Sequence, residues 1–183
     1  QPINQLRGST VLEANGNNLL SYITSIKLQE PKLWERIVNG VGTIIPETDF
    51  EDILIPVRDN ETVTDLRLKE RWSERDFPWS HAPTGVKELV FMVTLIMSSP
   101  RGGIVFIEEP ESHLHPLAQR RLMKVCIDEA INSGKQIIFS THSLEVIESP
   151  GWRRAYMLRK DQQTAANLPA EAYTAREIKK LLE

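Results

Sequence analysis

The sequence is short of several things, and each shortage removes a class of protein. It holds a single cysteine, Cys126, in 183 residues. No disulfide can form within it, which excludes a small disulfide scaffold and suits a reducing cytoplasm. No stretch reaches the roughly 18 uninterrupted apolar residues of a membrane span. No secretory signal is recognisable either, so neither membrane insertion nor export is expected. Charge of one sign is scarce in excess: 22 Lys and Arg stand against 25 Asp and Glu, a net −3. That balance argues against a dedicated nucleic-acid coat, though not against a local basic patch. Internal repeats and low-complexity segments are missing. So is any G-x-x-x-x-G-K-[ST]: the nearest glycine runs, Gly40-Val41-Gly42 and Gly102-Gly103, lack the lysine-serine ending. Without that loop there is no backbone cradle for a β-phosphate and no Ser/Thr ligand for Mg²⁺. The chain also starts at Gln1 rather than at a methionine, and reads as a fragment or a processed product.

What is present is an ordinary globular composition, 40% hydrophobic and 26% charged, long enough to bury a core. Two parts differ in character. Residues 1–80 read as a mixed helical and strand lobe. Asn17-Asn18 offers a polar cap to LLSYITSIKL, and Pro31 suits the first turn of PKLWERIVNGV, whose Leu33, Trp34, Ile37, Val38 and Val41 share a face. FEDILIPV and TVTDLRLKERW alternate with period two around an Asp59-Asn60 turn, and predict a strand pair.

Residues 81–183 read as an α/β lobe, part of a parallel sheet with flanking helices. VKELVFMVTLIM is helical and is broken by Pro100-Arg101-Gly102-Gly103. IVFIEE is a continuous apolar strand of the kind buried on both faces. PLAQRRLMKVCIDEAINSG is a long amphipathic helix ending at Gly134, and KQIIFSTHS is a second buried strand. LEVIES, RRAYMLRK and TAREIKKLLE continue as helix, third strand and final helix. Strands alternating with helices point to βαβ crossovers.

Two strand ends carry the chemistry. Ile104 to Ile107 run into Glu108-Glu109-Pro110-Glu111. Acids at the carboxyl end of a buried strand are costly unless they bind something, and that edge of an open α/β sheet is where ligands sit. Neighbouring strand residues point to opposite faces. One carboxylate can therefore face a hydrated Mg²⁺, which needs only one or two protein oxygens, while the next faces a water aimed at a γ-phosphate. Taken alone, EEPE reads equally as a solvated turn with Glu111 capping the next helix. The second end, Thr141-His142-Ser143, repeats the pattern. A lone histidine there is more often structural, but if the strands are neighbours, His142 lies beside the acids and can donate to a phosphate oxygen.

Together, IVFIEEPESHLHP and QIIFSTHS resemble the heads of ABC-type ATPases, above all the RecF, SMC and overcoming-lysogenization-defect (OLD) branch of AAA-type domains. The likeness covers residues 80–160 well and residues 8–80 more loosely. It implies Mg²⁺ and ATP as cofactors and hydrolysis at a head-to-head dimer interface. Glu108 matches the Walker B acid that holds the metal, one methylene longer than the commoner Asp. Glu109 matches the catalytic glutamate and His142 the switch histidine. Ser112 to His115 match the D-loop, which contacts the opposite subunit. A signature-like turn falls at Ala82-Pro83-Thr84-Gly85-Val86-Lys87, where Thr84, Gly85 and Lys87 are the candidate nucleotide contacts. Pro83 replaces the usual serine there.

The resemblance also implies partners: an N-terminal ATPase lobe or second ATPase subunit bearing the missing loop, a second copy of the chain, and a DNA or nuclease effector in DNA repair or phage defence. A non-catalytic scaffold that has lost its phosphate loop is the alternative. A metal-dependent nuclease built on Glu108, Glu109 and Glu111 is a further one, and a transporter head is the least suited to the L-H-P after the acids. Two basic groups, Arg67, Lys69, Arg71 and Arg75, and Arg153, Arg154, Arg159 and Lys160, are candidate phosphate-backbone contacts. Glu61, Asp65, Glu70 and Glu74 are expected to balance the first of them.

Overall fold

The computed structural model describes residues 11–48, 50–55, 66–70, 76–151, 155–157 and 171–173. Helix α1 (Leu19–Gln29) is followed at once by α2 (Pro31–Ile44), which opens on Pro31 as expected. The Asn18 side chain caps nothing on α1. It accepts from the Glu13 amide and donates to the Val11 carbonyl, fastening the preceding turn instead.

The strand pair of the first lobe is a three-stranded antiparallel sheet, β1 (Phe50–Leu54), β2 (Arg67–Glu70) and β3 (Asp76–Pro78), in that order. The third strand escaped the periodicity because it is three residues long and ends in proline. Lys27 and Trp34 both donate to the Asp52 carboxylate, pinning α1 and α2 to β1. The Asp59-Asn60 turn lies outside the described residues.

The second lobe opens with α3 (Thr84–Ser98) and a βαβ unit: β4 (Ile104–Glu108), α4 (Pro116–Ser133) and β5 (Gln136–Ser140), followed by the short α5 (Leu144–Ile147). β4 and β5 pair in parallel, Ile104 beside Gln136 and Glu108 beside Ser140. Gly134 closes α4 in the left-handed conformation, φ 69°, where glycine carries no Cβ penalty. Among the described residues the Ala155–Met157 strand, β6, does not extend this parallel sheet. It pairs antiparallel with β7 (Glu171–Tyr173), Ala155 beside Tyr173 and Met157 beside Glu171. The predicted final helix, 174–183, lies outside the described residues.

One core joins both lobes. Ile23, Ile37, Val41, Ile53, Leu89, Val93, Ile96 and Leu122 are buried in a single cluster. α2 and α3 approach closely at Gly40, where a Cβ would lie 2.7 Å from the Met97 methyl. Against this core β4 buries one face only. Val105 and Ile107 point in, each contributing about 1.5–3 kcal/mol, whereas Ile104 and Phe106 are 56% and 69% exposed. Ile138 of β5 is exposed on the same side as its partner Phe106. The expectation of strands buried on both faces is therefore corrected: among the described residues, helices cover one side of the sheet and nothing covers the other.

Candidate functional site

The two strand ends meet. Because β4 and β5 are parallel and in register, their carboxyl ends lie side by side, and the Glu109 amide extends the ladder to the Ser140 carbonyl at 2.9 Å. There the chain leaves strand geometry. Glu109 has φ 44°, a left-handed conformation that non-glycine residues rarely adopt and that is often retained at functional sites. Its carboxylate Oε1 stands 3.9 Å from Nε2 of His142, and both side chains are largely solvent-facing. Glu108, one residue earlier, lies beside Ser140 on the open face of the sheet, the face that carries Phe106 and Ile138. The two neighbouring carboxylates thus address different surroundings.

Residues 110–115 wrap the site. The Ser112 amide donates to the Glu109 carbonyl at 2.9 Å, and its hydroxyl reaches the Glu109 carboxylate at 3.5 Å. His115 is the N-cap of α4: its Nδ1 accepts from the Leu117 amide at 3.4 Å. Glu111, which local pattern allowed as that cap, turns the other way. Its Oε1 accepts from the Thr141 hydroxyl at 2.7 Å, the His142 amide at 2.8 Å and the Ser143 amide at 3.1 Å. Sequence reasoning missed this clamp. The available signal was a third acid in EEPE facing a run of unpaired donors in THS.

The signature-like turn touches the site through residue 113. Gly85 sits so close to the backbone that a Cβ would lie 2.8 Å from the His113 carbonyl oxygen. The His113 ring shares a 2.8 Å hydrogen bond with Glu88 on α3. Thr84 is the first residue of α3, and the Val86 and Lys87 amides already bond to the Pro83 carbonyl. The Lys87 ammonium is turned back to the Ser80 carbonyl at 2.9 Å.

The donor set suits a hydrated Mg²⁺ bound with nucleotide. Glu108 offers one exposed carboxylate with no cationic partner among the described residues, which is what Mg²⁺ takes from a protein when phosphates and water complete its shell. Among the described residues no group of three or more His, Cys, Asp or Glu side chains is placed to hold a metal by itself. Glu111, engaged by residues 141–143, is not gathered with Glu108 and Glu109 as the nuclease reading required. Of the first basic group, Arg67 pairs with Asp76 at 2.9 Å and Lys69 with Glu51 at 2.9 Å, while Glu61, Asp65 and Glu74, expected to balance it, lie outside the described residues. Arg71, Arg75 and the 153–160 group lie outside the described residues.

Residues 11–148 match the family model "AAA domain, putative AbiEii toxin, Type IV TA system". The chain belongs to this AAA family of ATPase domains. The AAA domain is 32% identical over 100 residues to the OLD nuclease of Thermus scotoductus, covering 53% of this chain and 19% of that protein. It is 30% identical over 153 residues to the energy-coupling factor transporter ATP-binding protein EcfA2 of Methanospirillum hungatei, covering 84% of this chain and 36% of that protein. The AAA domain thus spans about a fifth and about a third of these relatives' lengths.

Its fold is similar to that of a protein solved in work on ATP-driven dimerization and DNA-stimulated activation of SMC ATPases (TM-score 0.64, 9% identity, 87% of this chain and 94% of that one). It is also similar to the SMC head domain with a coiled coil and joint derived from Pyrococcus yayanosii (TM-score 0.61, 10% identity, 92% of this chain and 33% of that one). At such identities the likeness is one of fold. Among the described residues no helix is long and apolar enough to cross a membrane.

Proposed function

We propose that this AAA domain is the C-terminal part of an ABC-type ATPase head that hydrolyses Mg-ATP between two heads, in DNA repair or phage defence in the cytoplasm. The observation that carries the reading is the 3.9 Å approach of Glu109 Oε1 to His142 Nε2 at adjoining strand ends. A water held by Glu109 and a phosphate oxygen held by His142 would then be neighbours, the arrangement an in-line displacement requires.

In this reading Glu108 holds Mg²⁺ through water. When bound, the metal neutralises charge on the phosphates. Glu109 orients the attacking water and accepts its proton. His142 donates a hydrogen bond to the γ-phosphate, steadying charge as it develops. The signature-like turn, with Thr84, Gly85 and Lys87, would face the nucleotide of the opposite head, since a helix N-terminus favours anions. Ser112 and His115, in the D-loop, would meet that head. Residues 1–80 serve as the signature-side lobe and 81–183 as the catalytic lobe.

The phosphate-binding loop has to come from elsewhere, an N-terminal lobe or a second ATPase subunit. The uncovered apolar face of Ile104, Phe106 and Ile138, continuous with Glu108, supports docking of such a lobe: covering it would remove apolar surface from water and bring a phosphate loop toward the metal-binding acid. A homodimer through the nucleotide interface and a DNA or nuclease effector complete the picture. These draw on the SMC work, which concerns dimerization and DNA stimulation, and on the nuclease named among the relatives.

The test compares this chain with the whole protein that includes a phosphate-binding loop. The chain alone is expected to show no ATP turnover. The whole protein is expected to hydrolyse ATP and to lose at least about a hundredfold in kcat on Glu109→Gln. ATP turnover by the isolated chain that Glu109→Gln abolishes would overturn the missing-loop reading. A whole protein whose turnover ignores Glu109→Gln would favour a non-catalytic scaffold.

A further inference from the structure

We infer that Glu111 is a positioning residue for His142, a role that rests on the ATPase reading above. The His142 side chain is 91% exposed, so packing does not fix its ring. What is fixed is its backbone. Three donors in succession, the Thr141 hydroxyl and the His142 and Ser143 amides, converge on the single oxygen Oε1 of Glu111. Hydrogen bonds to an ionised acceptor are shorter and roughly twice as strong as neutral ones, and three on one atom hold the loop in direction as well as place.

The clamp is anchored on both sides. Gln119, on α4, accepts from the Ser143 hydroxyl at 2.6 Å and donates to the Leu114 carbonyl at 2.9 Å. The Thr141 hydroxyl also accepts from the Ser143 amide at 3.0 Å. The D-loop and the switch loop are thereby joined through side chains some thirty residues apart in sequence.

The second carboxylate oxygen, Glu111 Oε2, is buried with no hydrogen-bond partner. An orphaned buried carboxylate oxygen is unfavourable. A charged acceptor sits there in spite of that, and the work visible on its other oxygen is holding the loop that bears His142. Because Glu111 lies two residues after Glu109 in the same turn, it ties the imidazole to the catalytic carboxylate's own segment. The 3.9 Å Glu109–His142 approach is thus set from within that turn.

The experiment uses the whole protein with its phosphate-binding loop. Glu111→Ala, Glu111→Gln and Thr141→Val are compared with Glu109→Gln for kcat, KM for ATP, and hydrogen exchange at the His142 and Ser143 amides. Glu111→Ala is expected to lower kcat by at least about tenfold with KM within about twofold. Exchange at the two amides should rise by at least about tenfold while the core stays protected. Glu111→Gln, which keeps an oxygen but not the charge, should fall between Ala and wild type in both readouts. Should Glu111→Ala not fold, Glu111→Gln and Thr141→Val carry the same comparison. Unchanged exchange, or faster exchange with kcat untouched, or a rise in KM alone, overturns the positioning role. If those appear while Glu109→Gln still abolishes turnover, the positioning role alone falls. If Glu109→Gln leaves turnover intact, the ATPase reading falls and this role with it.

Discussion

Gly85, the second residue of α3, rests directly on the backbone of His113 in the turn after β4, with room for a hydrogen but not for a methyl group: a Cβ there would meet the His113 carbonyl oxygen at 2.8 Å. The start of α3 and the turn after β4 are therefore one packed unit, and the His113–Glu88 hydrogen bond reinforces it. Gly85→Ala is expected to push that turn away and to lower stability by about 1–2 kcal/mol, read as a lower urea midpoint at unchanged m. Glu88→Ala, which leaves the backbone contact intact, should fall well short of that loss.

A second consequence concerns the buried ion pair behind the sheet. The Lys135 ammonium bonds Glu129 at 2.8 Å and also the Ile96 carbonyl at 2.7 Å and the Met97 carbonyl at 3.2 Å near the end of α3. Lys135→Met strands a buried carboxylate whose remaining cation is Arg36, and is expected to cost about 3 kcal/mol. Adding Glu129→Leu should restore only part of this, since the two carbonyls still lack their donor. Urea unfolding of the single and double variants checks both statements.

The same pair sets an acid limit. Burial raises the Glu129 pKa, but the Lys135 hydrogen bond and charge, with Arg36 behind them, outweigh it and hold the carboxyl below its ordinary 4.5. A depressed folded pKa stabilises at pH values above the unfolded one, and that contribution is lost as pH falls below 4.5 through the folded value. In Lys135→Met the main opposing cation is gone while burial remains, so the acid unfolding midpoint should move to higher pH. Circular dichroism across pH 2–6 follows it, on the scale of about one unit.

Cys126 reports on opening of the core. Burial pushes its thiol up to about 12, so almost none is thiolate near neutrality, and the thiolate is the reactive form. Modification by a thiol reagent at pH 8 is expected to be slow and to accelerate through the urea transition. It should also be faster in Lys135→Met than in wild type. Rapid stoichiometric labelling of the native chain would contradict the burial.

The open sheet face yields a contrast between chain and whole protein. Phe106 is 69% exposed, so Phe106→Asp should change the stability of the chain alone by no more than about 0.5 kcal/mol. In the whole protein the same substitution is expected to destabilise by several-fold more, because a charge would be buried under the proposed lobe. Thermal unfolding of the two forms makes the comparison.

Local chemistry was enough for much of this protein. Pro31 and Gly134 mark helix ends by backbone geometry alone, and apolar runs ending in acids and in Thr-His-Ser marked the two strand ends. What the sequence could not express is which faces those strands bury. A continuous apolar run reads the same whether one side or both are covered, and only packing showed Ile104 and Phe106 open to solvent. Nor could it tell that β6 turns antiparallel to β7, or that Glu111 serves the loop of His142 and not helix α4. Residue type and spacing determined the chemistry available at each strand end. Tertiary structure decided which ends meet and which oxygen faces which donor, because those contacts join residues about thirty positions apart, beyond the reach of any local period.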